Sequence, residues 1–226
     1  MNPLSGVIAE AWAMYRAHAA HLLTIAFVVF VVASLLQALV AGLLGAVGVL
    51  LAAVIGIIAA FLLQAALVKA VEDVRDGRAD LSLGGTLQAA RPAVLRVAVA
   101  SILAGVAIAL GLIAFIVPGL LLMTIWSLIV PVLVIESAGI GEAFGRSRNL
   151  VRGFGWNVFG TMVAVFLLLL VANIVVGLIL LPLPDTLAQF LASVLSGTLV
   201  APFLALVVTL GYYRLRAAHS NATRYA

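Results

Sequence analysis

The chain of 226 residues has no cysteine and little charge, because only 9% of its residues are Asp, Glu, Lys or Arg. The missing cysteines exclude disulfides, thiolate nucleophiles and cysteine-ligated metal sites. A soluble domain has about 25% charged residues, so the charge content also excludes an ordinary soluble protein. The apolar share is 66% and the mean hydropathy is +1.33. This composition indicates a lipid bilayer as the solvent, and the predicted fold class is an all-α polytopic membrane protein.

Six apolar runs are long enough to cross about 30 Å of hydrocarbon. They cover residues 22–40, 46–68, 97–117, 119–135, 158–181 and 187–211. The first run is too long for the core of a secretory signal, so we interpret it as a retained transmembrane helix. Short breaks pair the runs into three predicted hairpins. The turn residues are Gly42, Gly45 and Gly48, then Pro118 and Gly119, then Pro182, Pro184 and Asp185.

Positive charge is distributed unevenly along this map. All twelve Lys and Arg residues lie outside the three hairpin turns, in the two termini and the two longer connections. Cytoplasmic segments are enriched in Lys and Arg, so both termini and both long connections are predicted to be cytoplasmic. The Arg-rich, Ala-rich composition suggests a bacterial source. We therefore predict a single membrane domain over residues 1–226, inserted in the bacterial inner membrane.

Three segments are predicted to form interfacial amphipathic helices, at about 3–20, 86–96 and 142–156. In the last of these, one helical arc is mainly apolar and the opposite arc polar, which is typical of a helix with arginines at phosphates and apolar side chains at acyl chains. The first arc holds Ala143, Phe144, Ser147, Leu150, Val151 and Phe154, and the second Glu142, Arg146, Arg148, Asn149 and Arg152. Glu10, Gln88 and Glu142 each precede an alanine, which suggests three repeats of an interfacial segment and a hairpin.

Features inside the spans leave two interpretations open. Small residues at every fourth position favour either tight helix packing or a pore lining. Pro131 and Pro202 should kink their helices, either as transport hinges or only as part of the bundle's shape. The uncharged polar residues either form hydrogen bonds between helices or line a substrate path; they are Gln37, Gln64, Thr124 and Asn173. No charged residue lies at mid-span, which counts against an ion-coupled pump.

Residues 118–160 closely resemble the pattern of the glycerophosphoryl diester phosphodiesterase membrane domain family. The residues that carry the resemblance are Pro118, Gly119, Trp126, Pro131, Glu136, Glu142, Ala143, Arg146, Ser147, Leu150, Arg152, Gly153, Trp156, Phe159 and Gly160. The resemblance implies a bacterial six-helix membrane protein, with structural roles for Pro118, Gly119, Trp126, Pro131, Glu136 and Glu142. Family members often have a basic residue before the tryptophan, where this chain has Ile125. Some relatives also carry a catalytic barrel, whose motifs this chain lacks, so the resemblance does not imply an enzyme.

The predicted function is that of a non-enzymatic membrane component that binds lipid, anionic lipid in particular, or supports partner proteins. Arg146, Arg148 and Arg152 are the candidate headgroup contacts, although they could also serve only to set the topology. The alternative function is a transporter or channel for a lipid or a small neutral solute. His18 and His21 have no third ligand near them in sequence, so no metal is predicted. No catalytic residue, cofactor or nucleic-acid partner is predicted either.

Overall fold

The computed structural model describes residues 2–75 and 82–224, apart from the side chains at 185–190, 193, 196 and 221–224. All regular structure in these ranges is α-helical, which confirms the predicted all-α class. The helices are α1 (Val7–Ala17), α2 (Ala19–Arg75), α3 (Leu83–Ala114), α4 (Ile116–Ile125), α5 (Ile129–Ile135), α6 (Ile140–Val151), α7 (Gly155–Leu180) and α8 (Asp185–Arg224).

Five helical segments are long and apolar enough to cross a membrane. They are Ala19–Arg75, Leu83–Ala114, Ile116–Ile135, Gly155–Leu180 and Gly197–Ser220. Large apolar side chains are exposed along much of their length, for example Leu43, Ile113 and Leu178. A soluble monomer rarely exposes contiguous apolar patches of this extent. The fold is therefore consistent with a multi-pass membrane protein.

The chain reverses direction within α2, at Gly45. This residue has φ 55° and ψ −131°, a backbone conformation that glycine adopts without steric cost. Gln37 lies before Gly45 and Gly56 after it. The side-chain oxygen of Gln37 is nevertheless only 3.0 Å from the position that a Cβ would occupy at Gly56. In a straight helix these two residues would be about 28 Å apart. Gly42 and Gly48, also predicted to be turn residues, have helical backbones.

The connection between α3 and α4 differs from the prediction. The extended residue is Phe115, with φ −157° and ψ 137°, and α4 begins at Ile116. Pro118 lies in the first turn of α4, where its missing N–H has no intrahelical partner to lose. Gly119 is buried where α4 crosses α3, and a Cβ there would collide with Leu112. Pro118 and Gly119 therefore belong to the helix and to its packing, and not to the turn.

The predicted interfacial helix at 86–96 is not a separate element. It forms the beginning of α3, which continues through Pro92 to Ala114. A proline inside a helix removes one backbone hydrogen bond and bends the helix without having to end it. In contrast, α1 is separated from α2 at His18, and α6 is separated from α7 by residues 152–154.

The buried core lies towards the end of the bundle that carries the described chain ends. It combines parts of every helix except α4, and representative members are Val7, Leu22, Leu67, Val97, Leu133, Leu150, Val158 and Leu206. Near Gly45, Phe115 and Leu181, in contrast, most apolar side chains are exposed. The densest packing therefore surrounds the short helices α1, α5 and α6.

Three polar residues of the spans bond to their own helix and not across helices. Gln37, Thr124 and Asn173 donate to the carbonyl oxygens of Ala33, Leu120 and Leu169, at 3.2, 2.8 and 2.8 Å. Gln64 is exposed. The predicted hydrogen bonds between helices are thus not made by these three residues, because the carbonyl four residues earlier is the nearest acceptor in hydrocarbon. Pro202 lies within the continuous helix α8.

Candidate functional site

The membrane-length segment Ile116–Ile135 contains a break between α4 and α5, and Ser147 of α6 fills it. The Ser147 hydroxyl donates to the Ile125 carbonyl at 2.8 Å and accepts the Leu128 N–H at 3.2 Å. Ser147 is fully buried. Pro131 lies in the first turn of α5, immediately after the break, so its missing N–H disrupts no longer helix. Broken backbone within an apolar bundle needs such partners, and this hydroxyl provides two of them.

Glu136 follows α5 and is the centre of a polar cluster that joins three helices. Arg146 of α6 donates through Nε and Nη2 to both carboxylate oxygens, at 3.0 to 3.2 Å. The Tyr212 hydroxyl of α8 donates to Oε1 at 2.7 Å and accepts from Arg216 at 3.3 Å. We call Glu136, Arg146, Tyr212 and Arg216 the Glu136 cluster. A forked arginine contact of this kind fixes orientation as well as supplying energy.

Burial and hydrogen bonding act in opposite directions on the pKa of Glu136. Burial raises the pKa of this carboxyl, but the hydrogen bonds from Arg146 and Tyr212 and the charges of Arg146 and Arg216 lower it. The net result is a pKa below the ordinary value of 4.5. The pKa of Arg146 is raised, mainly by its hydrogen bonds to Glu136. Both groups are therefore charged at neutral pH and form an ion pair.

The loop after Glu136 is held by a second arginine. Arg96 of α3 donates to the backbone carbonyls of Ser137 and Ala138. Ser137 has φ 53°, an uncommon conformation for a residue with a side chain. Glu142 accepts the Gly139 N–H at 3.3 Å and so completes the first turn of α6. The junction between α5 and α6 is thereby fixed from both sides.

The end of α8 also binds the N-terminal segment. Arg214 forms an ion pair with Glu10 and donates to the carbonyls of Pro3 and Ser5. The Tyr15 hydroxyl donates to the Leu199 carbonyl at 3.1 Å. The consecutive residues Tyr212, Tyr213 and Arg214 reach three different elements, since the Arg75 guanidinium of α2 lies 3.6 Å from the ring centre of Tyr213.

An open groove of about 660 Å³ lies beside α6, and we call it the arginine groove. Arg148 and Arg152 are exposed there, and neither forms an ion pair with another described residue. None of the lining residues in the described part of the chain is acidic. The lining residues are Ile125, Gly145, Arg148, Asn149, Val151, Arg152, Gly153 and Gly155. Trp156, which is 85% exposed, follows directly in the chain.

The structure divides the three predicted headgroup arginines into two groups. Arg148 and Arg152 both line the groove, whereas Arg146 forms an ion pair with Glu136. The apolar arc of α6, predicted to contact acyl chains, is instead covered by the protein at Ala143, Ser147, Leu150 and Val151. Other helices thus cover the face that an isolated α6 would present to lipid.

The residues of the family resemblance lie in two places. Trp126, Pro131, Glu136 and Glu142 surround the junction of α5 and α6, and Trp126 packs edge-on against Phe144 with ring centres 4.9 Å apart. Pro118 and Gly119 lie in the first turn of α4, at the other end of the α4–α5 segment. Sequence reasoning did not identify the roles of Tyr212, Arg96 and Ser147. For Ser147, the signal available in the sequence was a serine on an apolar helix face.

Comparisons of the chain with protein families, with characterised proteins and with solved structures found no match.

Proposed function

We propose that this chain crosses the membrane six times, as three hairpins, with both termini in the cytoplasm. A straight helix with the length of α2 would extend about 86 Å, far more than the roughly 30 Å of hydrocarbon, so its two limbs on either side of Gly45 suit one crossing each. The turns at Gly45, at Phe115 and at 181–184 contain no Lys or Arg. The positive-inside rule then favours the opposite side for these turns.

Within this topology we propose a non-enzymatic function: the protein binds anionic phospholipid headgroups in the arginine groove. The observation that carries the proposal is the pair of exposed arginines, Arg148 and Arg152, in a groove with no acidic residue among its described lining. They stand four residues apart in sequence, a spacing that brings neighbouring side chains to one helix face. Guanidinium groups bind phosphate oxygens through two parallel hydrogen bonds, which suits a phosphodiester headgroup.

The surroundings of the groove support a ligand at the membrane surface. The exposed Trp156 has the side chain that is enriched at the level of the headgroups. Gly155 is the first residue of α7, where the backbone N–H has no partner within the helix and can bind a phosphate. Each basic residue near an anionic membrane surface contributes about 1 kcal/mol. Together, Arg148 and Arg152 would therefore strengthen binding by roughly 30-fold.

The experiment is a comparison of two double variants in phosphatidylglycerol binding. Arg148→Gln with Arg152→Gln removes both groove charges, and Arg16→Gln with Arg91→Gln removes two exposed charges elsewhere in the described chain. Native mass spectrometry with added phosphatidylglycerol or phosphatidylcholine gives the bound fraction. We expect the groove variant to lose about 30-fold in affinity for the anionic lipid only, and the control to keep it.

Equal lipid binding by the two double variants would contradict the proposal. Thermal unfolding of both variants, followed by tryptophan fluorescence, serves as the check on folding. We expect no large shift, since Arg148 and Arg152 form no ion pair with any other described residue.

A further inference from the structure

Helix α7 presents most of its surface to the outside of the bundle. It packs mainly on α8 and α4, and its buried side chains are Val158, Val165 and Leu180. The exposed surface is apolar, as expected for lipid, with one exception: Asn173 is exposed among leucines, isoleucines and valines. An exposed carboxamide in such a surface needs a physical explanation.

The position of Asn173 along α7 puts it inside the hydrocarbon in the proposed topology. Between Trp156 and its end at Leu180, α7 rises about 36 Å, enough to cross the roughly 30 Å of hydrocarbon. Asn173 is about 10 Å along the axis from Leu180, and so about 7 Å below the nearer edge of a hydrocarbon layer centred on α7. Water is therefore not available to its carboxamide.

The carboxamide is only partly satisfied. Its Nδ2 donates to the Leu169 carbonyl at 2.8 Å, and no other described residue forms a hydrogen bond with it. An asparagine side chain has two N–H donors and an oxygen with two lone pairs. One donor and the oxygen are thus left facing the outside of the bundle, where lipid tails offer no partner.

Asn173 belongs to a continuous face of α7. Phe166, Leu170, Asn173 and Gly177 follow one another at spacings of four, three and four residues, the spacing of a coiled-coil seam. All four are exposed. A Cβ at Gly177 would meet no atom within 4 Å, so internal packing does not require a glycine there. A glycine in this seam allows the backbone of another helix to approach closely.

We propose that this face, named here the Asn173 seam, binds a second copy of the chain around a two-fold axis. A two-fold axis places identical residues opposite each other, so Asn173 of one protomer meets Asn173 of its partner. A carboxamide is complementary to itself, because each one can donate an N–H to the other's oxygen. The second copy thereby satisfies the polar groups that lipid leaves without partners. Gly177 lets the two α7 helices approach closely where they cross.

The test uses the absence of cysteine from the chain. Leu170→Cys places a single thiol in the seam, and Val171→Cys places one at nearly the same depth but about 100° further around α7, outside the seam. Both positions are exposed, 45% and 58% respectively. In native membranes, oxidation should give a disulfide-linked dimer of the seam variant and little of the control, since the Cα atoms must lie within about 7 Å.

A second measurement isolates the carboxamide. Asn173→Leu should weaken the dimer. Its dissociation constant, measured by energy transfer in detergent, should rise about three- to thirtyfold. The substitution should leave the thermal unfolding of the monomer unchanged, because the side chain is exposed. Equal cross-linking of the two cysteine variants, an unchanged dissociation constant, or a monomer at every concentration would each overturn the proposal.

Discussion

At the scale of single residues, Ser147 has the most specific role in the described chain. One hydroxyl satisfies both a backbone N–H and a backbone carbonyl at the break between α4 and α5. Removing it leaves the buried Leu128 N–H and the part-buried Ile125 carbonyl without this partner. The helical wheel puts Ser147 on the apolar arc of α6 and predicts that this arc contacts acyl chains, because a wheel does not show which helices cover it.

We therefore expect Ser147→Ala to destabilise the protein by about 1 to 3 kcal/mol, the usual cost of an unsatisfied buried group. Thermal unfolding in detergent, followed by tryptophan fluorescence, measures this loss of stability. Ser101→Ala is the matched control, because no hydrogen bond joins the Ser101 side chain to another described residue. Equal unfolding temperatures for the two variants would show that the hydroxyl does not stabilise the break.

Glu136 gives the fold a specific dependence on pH. Its pKa is lower in the folded protein than its ordinary value of 4.5. A lowered pKa means that the folded state favours the charged carboxylate, so this contribution is fully present at neutral pH. It is lost as the pH falls below about 4.5 and through the folded pKa.

Glu136→Gln should thus be less stable than the parent chain at pH 7 and should lose less stability on acidification. The unfolding temperature from about pH 7 to about pH 3 is the measurement, with both chains in the same detergent. Arg146→Gln should lower the stability at neutral pH in the same way and leave phosphatidylglycerol binding nearly intact. Parallel pH profiles for the parent and Glu136→Gln would contradict the assigned role.

At the scale of helices, the sequence predicts the presence of a helix better than it predicts the residues where the helix begins and ends. The apolar runs predict long apolar helices, and five such segments are present in the described chain. This agreement is expected because hydrophobic length is a local property. The turn after α3 is predicted at Pro118 and Gly119 but occurs at Phe115. Proline and glycine are general turn residues, yet proline is equally suited to the first turn of a helix. Which of these roles applies depends on the contact between Gly119 and Leu112, which no local pattern contains.

That contact supplies a test of helix packing. Gly119→Ala should destabilise the protein, by about 1 to 3 kcal/mol, because its Cβ would collide with Leu112 where α4 crosses α3. Gly105→Ala on α3 is the control, since a Cβ there meets no atom within 4 Å. We expect the control to unfold at or above the temperature of the parent chain, and the unfolding transitions of both variants measure the difference.

At the scale of the whole molecule, local sequence patterns predict the fold class but not the contacts between residues that are far apart in the chain. Low charge and long apolar runs predict an all-α membrane protein, and the helical fold with five membrane-length segments confirms that class. The contacts of Tyr212 with Glu136 and of Arg214 with Glu10 join residues far apart in the chain. No spacing rule predicts them, because they depend on how the helices assemble. The family resemblance and the three-unit repeat remain predictions.

The six-crossing topology is the basis of both proposals, and cysteine accessibility tests it most directly. Single cysteines replace exposed residues near the three turns, as Leu44→Cys, Phe115→Cys and Leu181→Cys, and exposed residues at the other end, as Asn149→Cys and Ser220→Cys. A membrane-impermeant maleimide is then added to intact host cells. We predict that the three turn positions are labelled and the other two only after permeabilisation. Labelling of Leu44→Cys and Phe115→Cys from opposite sides of the membrane would contradict six crossings.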